Sequence, residues 1–179
     1  MHLRIPKERV GALIGKEGAT KKRIEELTGI KLLIDSAEGD VEIDHSEAKD
    51  PAMAITVESI IKAVGRGFSP EKAVLLIEDD AVLEIMDLRD YVGKKPNHIS
   101  RVKSRVIGSK GKTRRIIEEL TGTHVSVFGN TVSIIGGTVQ VSVARRALDM
   151  LISGSEHSTV YHFLEGNRDI IRAVQMGFD

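Results

Sequence analysis

Residues 14–29, IGKEGATKKRIEELTG, return 93 positions later as residues 107–122, IGSKGKTRRIIEELTG, with ten of sixteen positions identical. Lys21 and Lys22 are answered by Arg114 and Arg115, which keep the charge. Such a self-match constrains the fold more than any local motif, because the duplicated segment must build the same unit twice. A chain of 179 residues accommodates two small domains, expected at residues 1–80 and 81–179.

Each copy can be read locally. Helices are expected over residues 19–28 and 112–121, with Ile24 and Leu27, like Ile117 and Leu120, turned to the core and the basic residues outward. Gly29 and Gly122 end them as left-handed caps. Strands follow at residues 30–35 and 123–128, then tight turns at Glu38-Gly39-Asp40 and Gly129-Asn130, then strands at 41–44 and 131–135. Val57, Ile60, Ile61 and Val64, like Ala144, Ala147, Leu148 and Leu151, keep the spacing of a core-facing helix. Ahead of the first glycine turn there is room for one strand, residues 3–6, and one short helix, residues 7–13. Three antiparallel strands packed on three helices make an α+β unit.

Gly111-Lys112-Thr113 invites comparison with the phosphate loop of nucleotide hydrolases. That loop needs a glycine five positions earlier, where Val106 stands. VLLIEDD, residues 74–80, mimics the second hydrolase motif but reads equally as an amphipathic connector within the acidic stretch 71–90. A G-x-x-G turn between two helices does other work. Gly15 and Gly18, or Gly108 and Gly111, let a sugar–phosphate chain approach closely, and the next helix offers unpaired N–H groups. Lys21, Lys22, Lys112, Arg114 and Arg115 add charge, and Ile14 and Ile107 flank the turns. Bases are then expected over an aliphatic groove beside the first hairpin strand, with polar edges at Lys31, His124 and Ser126.

The two segments resemble the I-G-x-x-G-x-x-x-x-x-I core of KH domains, which bind single-stranded RNA and DNA, and the order βααββα is that of their type I form. The expected architecture is therefore two tandem type I KH domains, with additional connector and C-terminal helices. The block ISRVKSRVIGSKGKTRRIIEELTGTHVSV and the tail FLEGNRD are further similar to archaeal two-KH-domain proteins of small-ribosomal-subunit assembly, of the Pno/Dim type, partners of the Nob nuclease. This resemblance implies binding of single-stranded RNA near the 3′ end of small-subunit ribosomal RNA and cooperation with the nuclease that matures that end. It also implies contact with a translation initiation factor, a monomeric protein and no catalytic activity. Eukaryotic relatives tend to have a degenerate first repeat, whereas Gly15 and Gly18 are kept here.

The copies are not electrically equal. Lys+Arg and Asp+Glu number 26 each, yet residues 94–124 hold nine Lys/Arg against Glu118 and Glu119 alone. The second turn carries Ser109 and Lys110, with Arg101, Lys103 and Arg105 on the preceding helix; the first carries Lys16 and Glu17. The second copy is expected to supply most of the affinity, and the first to bind weakly, set register or contact protein. At 3% aromatic residues no stacking platform is available.

No metal site, cofactor or catalytic constellation can be assembled from the scattered histidines and acids, and the absence of cysteine removes thiol chemistry. DVEID, residues 40–44, reads as a strand with its acids outward. No membrane span or signal segment is visible, so a soluble cytoplasmic protein is expected. The tail from Glu156 reads as one or two amphipathic helices, with Tyr161, Phe163 and Leu164 packing across the domains or meeting another protein. Two rival functions remain: a general KH adaptor in RNA decay or translation, and a nucleotide-binding enzyme, which the missing glycine disfavours.

Overall fold

The computed structural model describes residues 1–177, which divide into two units, Met1–Asp79 and a second from Asp80 onward. The first runs β1 (His2–Arg4), α1 (Lys7–Ile14), a glycine turn, α2 (Ala19–Thr28), β2 (Lys31–Ile34), β3 (Asp40–Asp44), α3 (Met53–Gly65) and a short α4 (Pro70–Ala73). Its antiparallel sheet has the order β1-β3-β2, with Leu3 opposite Val41 and Leu32 opposite Ile43. Two-residue alternation turns Leu32, Val41 and Ile43 to the helices, where they are buried, and leaves Asp40 and Glu42 in solvent. Val57, Ile60, Ile61 and Val64 of α3 close the core on Val10, Leu13 and Ile24. Each such side chain contributes about 1.5–3 kcal/mol when fully buried. Arg9 of α1 then covers the end of α3, donating from Nε to Val64 O (2.8 Å) and from Nη2 to Phe68 O (2.9 Å).

The second unit repeats the plan: β4 (Ala81–Asp87), a short α5 (Arg89–Val92), α6 (Pro96–Ile107), a glycine turn, α7 (Lys112–Thr121), β5 (His124–Phe128), β6 (Thr131–Gly137) and α8 (Thr138–Ile152). Two further helices follow, α9 (His157–Gly166) and α10 (Arg168–Gln175). The sheet order is β4-β6-β5, again antiparallel, and Met86, Val125, Val132 and Ile134 meet Val106, Ile117, Ala144, Leu148 and Leu151 in one core. Among the described residues no helix is long and apolar enough to cross a membrane.

Each unit is a three-stranded antiparallel sheet packed on helices, as expected of two tandem KH domains, and the departures are local. The first strand is His2–Arg4 rather than residues 3–6. Seven residues of the acidic "connector" at 71–90 are strand: β4 heads the second copy, and residues 88–95, including α5, are added between it and α6. Tyr91 pins this addition by donating its hydroxyl to Asp149 Oδ1 (2.9 Å), and partial burial together with that carboxylate pushes the phenol up to about 12. Leu27 does not face the core; it is 48% exposed, whereas its counterpart Leu120 packs against the second core. The reason is that α9 and α10 lie against α7, and the first unit contains no counterpart of these two helices. The tail packs on its own domain: Val160, Leu164 and Ile171 are buried, and Tyr161 and Phe163 lie half-buried against the same core.

Candidate nucleic-acid interface

The two glycine turns are copies to within a few degrees. Gly15 (φ 75, ψ 174) and Gly108 (φ 73, ψ 177) leave the preceding helix in a conformation open essentially to glycine alone. Glu17 and Lys110 then sit at φ 54, and Gly18 and Gly111 at φ 76 and 75, before α2 and α7 begin. A Cβ on Gly108 would overlap Thr113 Oγ1 and lie 2.8 Å from Thr113 N; one on Gly15 would meet Thr20 in the same way. A Cβ on Gly18 or Gly111 would meet nothing within 4 Å. The first glycine thus makes room for the threonine beneath it, and the second keeps the outer surface of the turn bare.

Each turn closes on two backbone bonds. Gly111 N donates to Gly108 O (3.2 Å) and Lys112 N to Ser109 O, and among the described residues no backbone acceptor is provided for the N–H groups of Ser109 and Lys110. Among the described residues no side chain caps α2 or α7, in contrast to α4, whose Ser69 accepts from Lys72 N. The positive end of α7 is therefore free to meet an anion. Lys110, Lys112 and Arg115 are exposed around it. The Arg115 guanidinium folds back on the turn, donating from Nη2 to Lys110 O (3.0 Å).

A cleft of about 420 Å³ lies along α6 up to Ile107, the residue before this turn, and is lined by Lys94, Ile99, Lys103, Ile107 and, from the β5–β6 turn, Asn130. On the α7 side, Glu118 Oε1 accepts from Val125 N (3.0 Å), and Arg114 Nη1 lies 3.4 Å from both Glu118 Oε1 and Val125 O. The first domain repeats this device: Glu25 Oε2 accepts from Leu32 N (2.9 Å), and Lys21 stands 3.6 Å from Glu25.

This arrangement recurs in known proteins. Residues 82–169 match the family described as eukaryotic type KH-domain (KH-domain type I), and residues 1–78 match the KH domain. A KH domain-containing protein of Methanocaldococcus jannaschii is 49% identical over 171 residues, covering 95% of this chain and 74% of that protein. The crystal structure of Dim2p from Pyrococcus horikoshii is 45% identical, with a TM-score of 0.86 over 92% of this chain and 97% of that one. The chain belongs to the Dim2/Pno1 family of KH-domain proteins. An a/eIF2alpha–aDim2p–rRNA complex from the same Pyrococcus superposes with a TM-score of 0.88 at 44% identity, over 94% of this chain and 93% of that one. The pre-rRNA-processing protein pno1 of Schizosaccharomyces pombe is 30% identical over 123 residues, 68% of this chain. The chain spans only about half of that eukaryotic protein, 51%.

Within this Dim2/Pno1 frame the residues singled out in the sequence separate into groups. Ile107, Gly108, Ser109, Lys110, Gly111, Lys112, Arg114 and Arg115 gather at the second turn and the cleft beside it. Ile14, Gly15, Lys16, Glu17, Gly18, Lys21 and Lys22 occupy the matching positions of the first. Arg105 lies elsewhere: its guanidinium donates from Nε to Leu151 O (3.1 Å) and from Nη2 to Ser155 O, covering the end of α8. Arg101 shares its side of α6, opposite the cleft, because residues four apart lie close together on a helix and residues two apart do not. The α6 cation that enters the cleft is Lys103, beside Lys94 from the preceding loop, with Ile99 and Ile107 at the four-residue spacing that could have marked it.

His124 and Ser126 are also displaced. They stand opposite Ile135 and Ser133, on the sheet face turned away from the helices, while Val125 and Val127 face inward. Lys31 alternates with buried Leu32 in the same manner and pairs with Glu47 (2.7 Å). What the strand presents toward α7 is its main chain, held by Glu118. The identity of Glu118 with Glu25 in the repeat was the available signal for that role.

Proposed function

We propose that this protein binds single-stranded RNA through the second glycine turn and its cleft, at the 3′-end region of small-subunit ribosomal RNA during ribosome assembly. The observation that carries the reading is the uncapped start of α7, with an unobstructed Gly111 and exposed Lys110 and Lys112 around it. A phosphate there receives main-chain N–H groups, the helix dipole and side-chain charge together. Lys103, Lys94, Ile99 and Ile107 continue the path along the cleft, and bases lie against aliphatic walls. The rRNA target rests on kinship with a pre-rRNA-processing protein and with a protein crystallised with rRNA. The same kinship supports partnership with a translation initiation factor. Cooperation with the nuclease that matures the rRNA 3′ end is part of the proposal and rests on the sequence resemblance alone.

The test is a titration of the full chain with oligonucleotides carrying the rRNA 3′ end and with scrambled ones, at several salt concentrations. The rRNA sequence should bind tighter; equal affinities would favour the general KH adaptor. Replacing Ser109→Asp and Lys110→Asp together should weaken binding by about tenfold or more. Unchanged binding would remove the second turn from the interface.

A further inference from the structure

The second turn differs from the first in what stands behind it. Thr113, only 2% exposed, shares a hydrogen bond of 3.1 Å with the Tyr161 hydroxyl of α9. This is the threonine against which Gly108 packs, so a group that fixes Thr113 fixes the turn above it. One turn earlier on α9, His157 donates from Nε2 to Arg105 O (3.1 Å) in the last turn of α6, and its ring meets Tyr161 edge-on at 6.2 Å. At the far end of α7, Gln175 of α10 packs over the Gly122 cap, its Nε2 2.6 Å from where a Cβ would stand. Val160, Leu164 and Ile171 anchor both helices in the core. The final turn of α6 and both ends of α7 are thus held by the C-terminal pair of helices. In the first domain Thr20 occupies the same place under Gly15, and no side chain is hydrogen-bonded to it among the described residues.

We infer that α9 and α10 act as a clamp that preorganises the second glycine turn, with Tyr161 as the positioning residue acting through Thr113. This rests on the reading that the second turn meets RNA phosphates. Lys110 sits at φ 54, a region that side chains avoid, next to Gly111 at φ 75. Two successive left-handed residues cost free energy to hold, so a contact that fixes the residue beneath them raises the population of that one shape; the first turn reaches the same shape without such a contact. Without the tyrosine, Thr113 can rotate, the turn samples other shapes, and RNA binding must include the cost of ordering it again. Tyr161 lies beneath the turn with its hydroxyl on buried Thr113, so it governs affinity without adding a phosphate contact.

The experiment uses the full chain with Tyr161→Phe, Thr113→Val, the two combined, and Lys110→Asp as a reference. The probe is a single-stranded RNA carrying the 3′ end of small-subunit rRNA. Tyr161→Phe should weaken binding by about fivefold, the worth of one hydrogen bond. The slope of affinity against salt should stay unchanged, and amide exchange at Gly111 and Lys112, the hydrogen-bonded amides of the turn, should accelerate toward the rate at Gly18 and Ala19, while β6 stays protected. The double variant should be no weaker than either single one, since both remove the same link. Wild-type affinity and exchange in Tyr161→Phe, additive losses in the double variant, or a reduced salt slope would each overturn the clamp. Exchange is read on the free protein, so it judges the clamp even if Lys110→Asp leaves affinity intact, the result that would sink the RNA reading instead.

Discussion

A methyl group at Gly108 would press on Thr113 N at 2.8 Å, whereas one at Gly111 would find nothing within 4 Å. The two residues of one motif are therefore glycine for different reasons. Gly108→Ala should cost the second domain about 3 kcal/mol or more, from a backbone region closed to side chains plus the overlap. Gly111→Ala should cost only about 1–2 kcal/mol, the left-handed penalty, while RNA affinity falls further because the methyl stands in the phosphate's approach. Urea unfolding beside RNA titration of the same variants separates the two effects. The glycine pair is legible in the sequence as a motif. Its division of labour is not, because that depends on how closely Thr113 comes up beneath the turn.

At the scale of elements, α6 shows why a run of basic residues misleads. Arg101, Lys103 and Arg105 are neighbours in the chain, yet about 100° of rotation per residue sends Lys103 into the cleft and the arginines to the opposite side. Lys103→Ala should leave stability almost unchanged, weaken RNA binding and lower the salt slope by about one. Arg105→Ala should destabilise the domain by about 1–3 kcal/mol, by uncovering Leu151 O and Ser155 O, and leave the salt slope alone. Thermal unfolding together with titrations at several salt concentrations checks both. The helices 19–28 and 112–121 were legible to the residue, because the glycines that start and end them are local signals. The exposure of Leu27 and the inward packing of the tail were not, since both depend on where α9 and α10 lie.

Over the whole molecule, duplication gave two turns of one shape in two electrical settings. In the first domain Lys21 faces Glu25, Lys7 faces Glu38, Arg4 faces Asp40, and Lys31 faces Glu47. Hydrogen bonds from Arg4 to Asp40 and from Lys31 to Glu47 raise both cations' pKa values and lower that of Asp40. Val10, buried, holds the place that Lys103 has in the cleft of the second domain. Lys110→Glu should accordingly weaken RNA binding of the full chain by about tenfold or more. Glu17→Lys should change it less than about twofold, because one added charge lacks a basic cleft to extend it. Fluorescence titration of both variants decides the matter. The repeat itself and the sign of the asymmetry were readable from spacing and charge counts. Lys21–Glu25 shows in the sequence as an i,i+4 pair, but the pairs of Arg4, Lys7 and Lys31 lie across strands and loops, where spacing carries no information.

The two arginines that cover the ends of α3 and α8 have a consequence for how such a gene can change. Arg9 and Arg105 do one job from helix positions that do not correspond: the repeat aligns Arg9 with Val102, and Arg105 with Ala12. If recombination copied the first repeat's helix over the second, a guanidinium would land where Val102 is buried and alanine would stand where α8 needs a donor. Copies that began as interchangeable have thus become locked apart, and each can now drift only within its own domain.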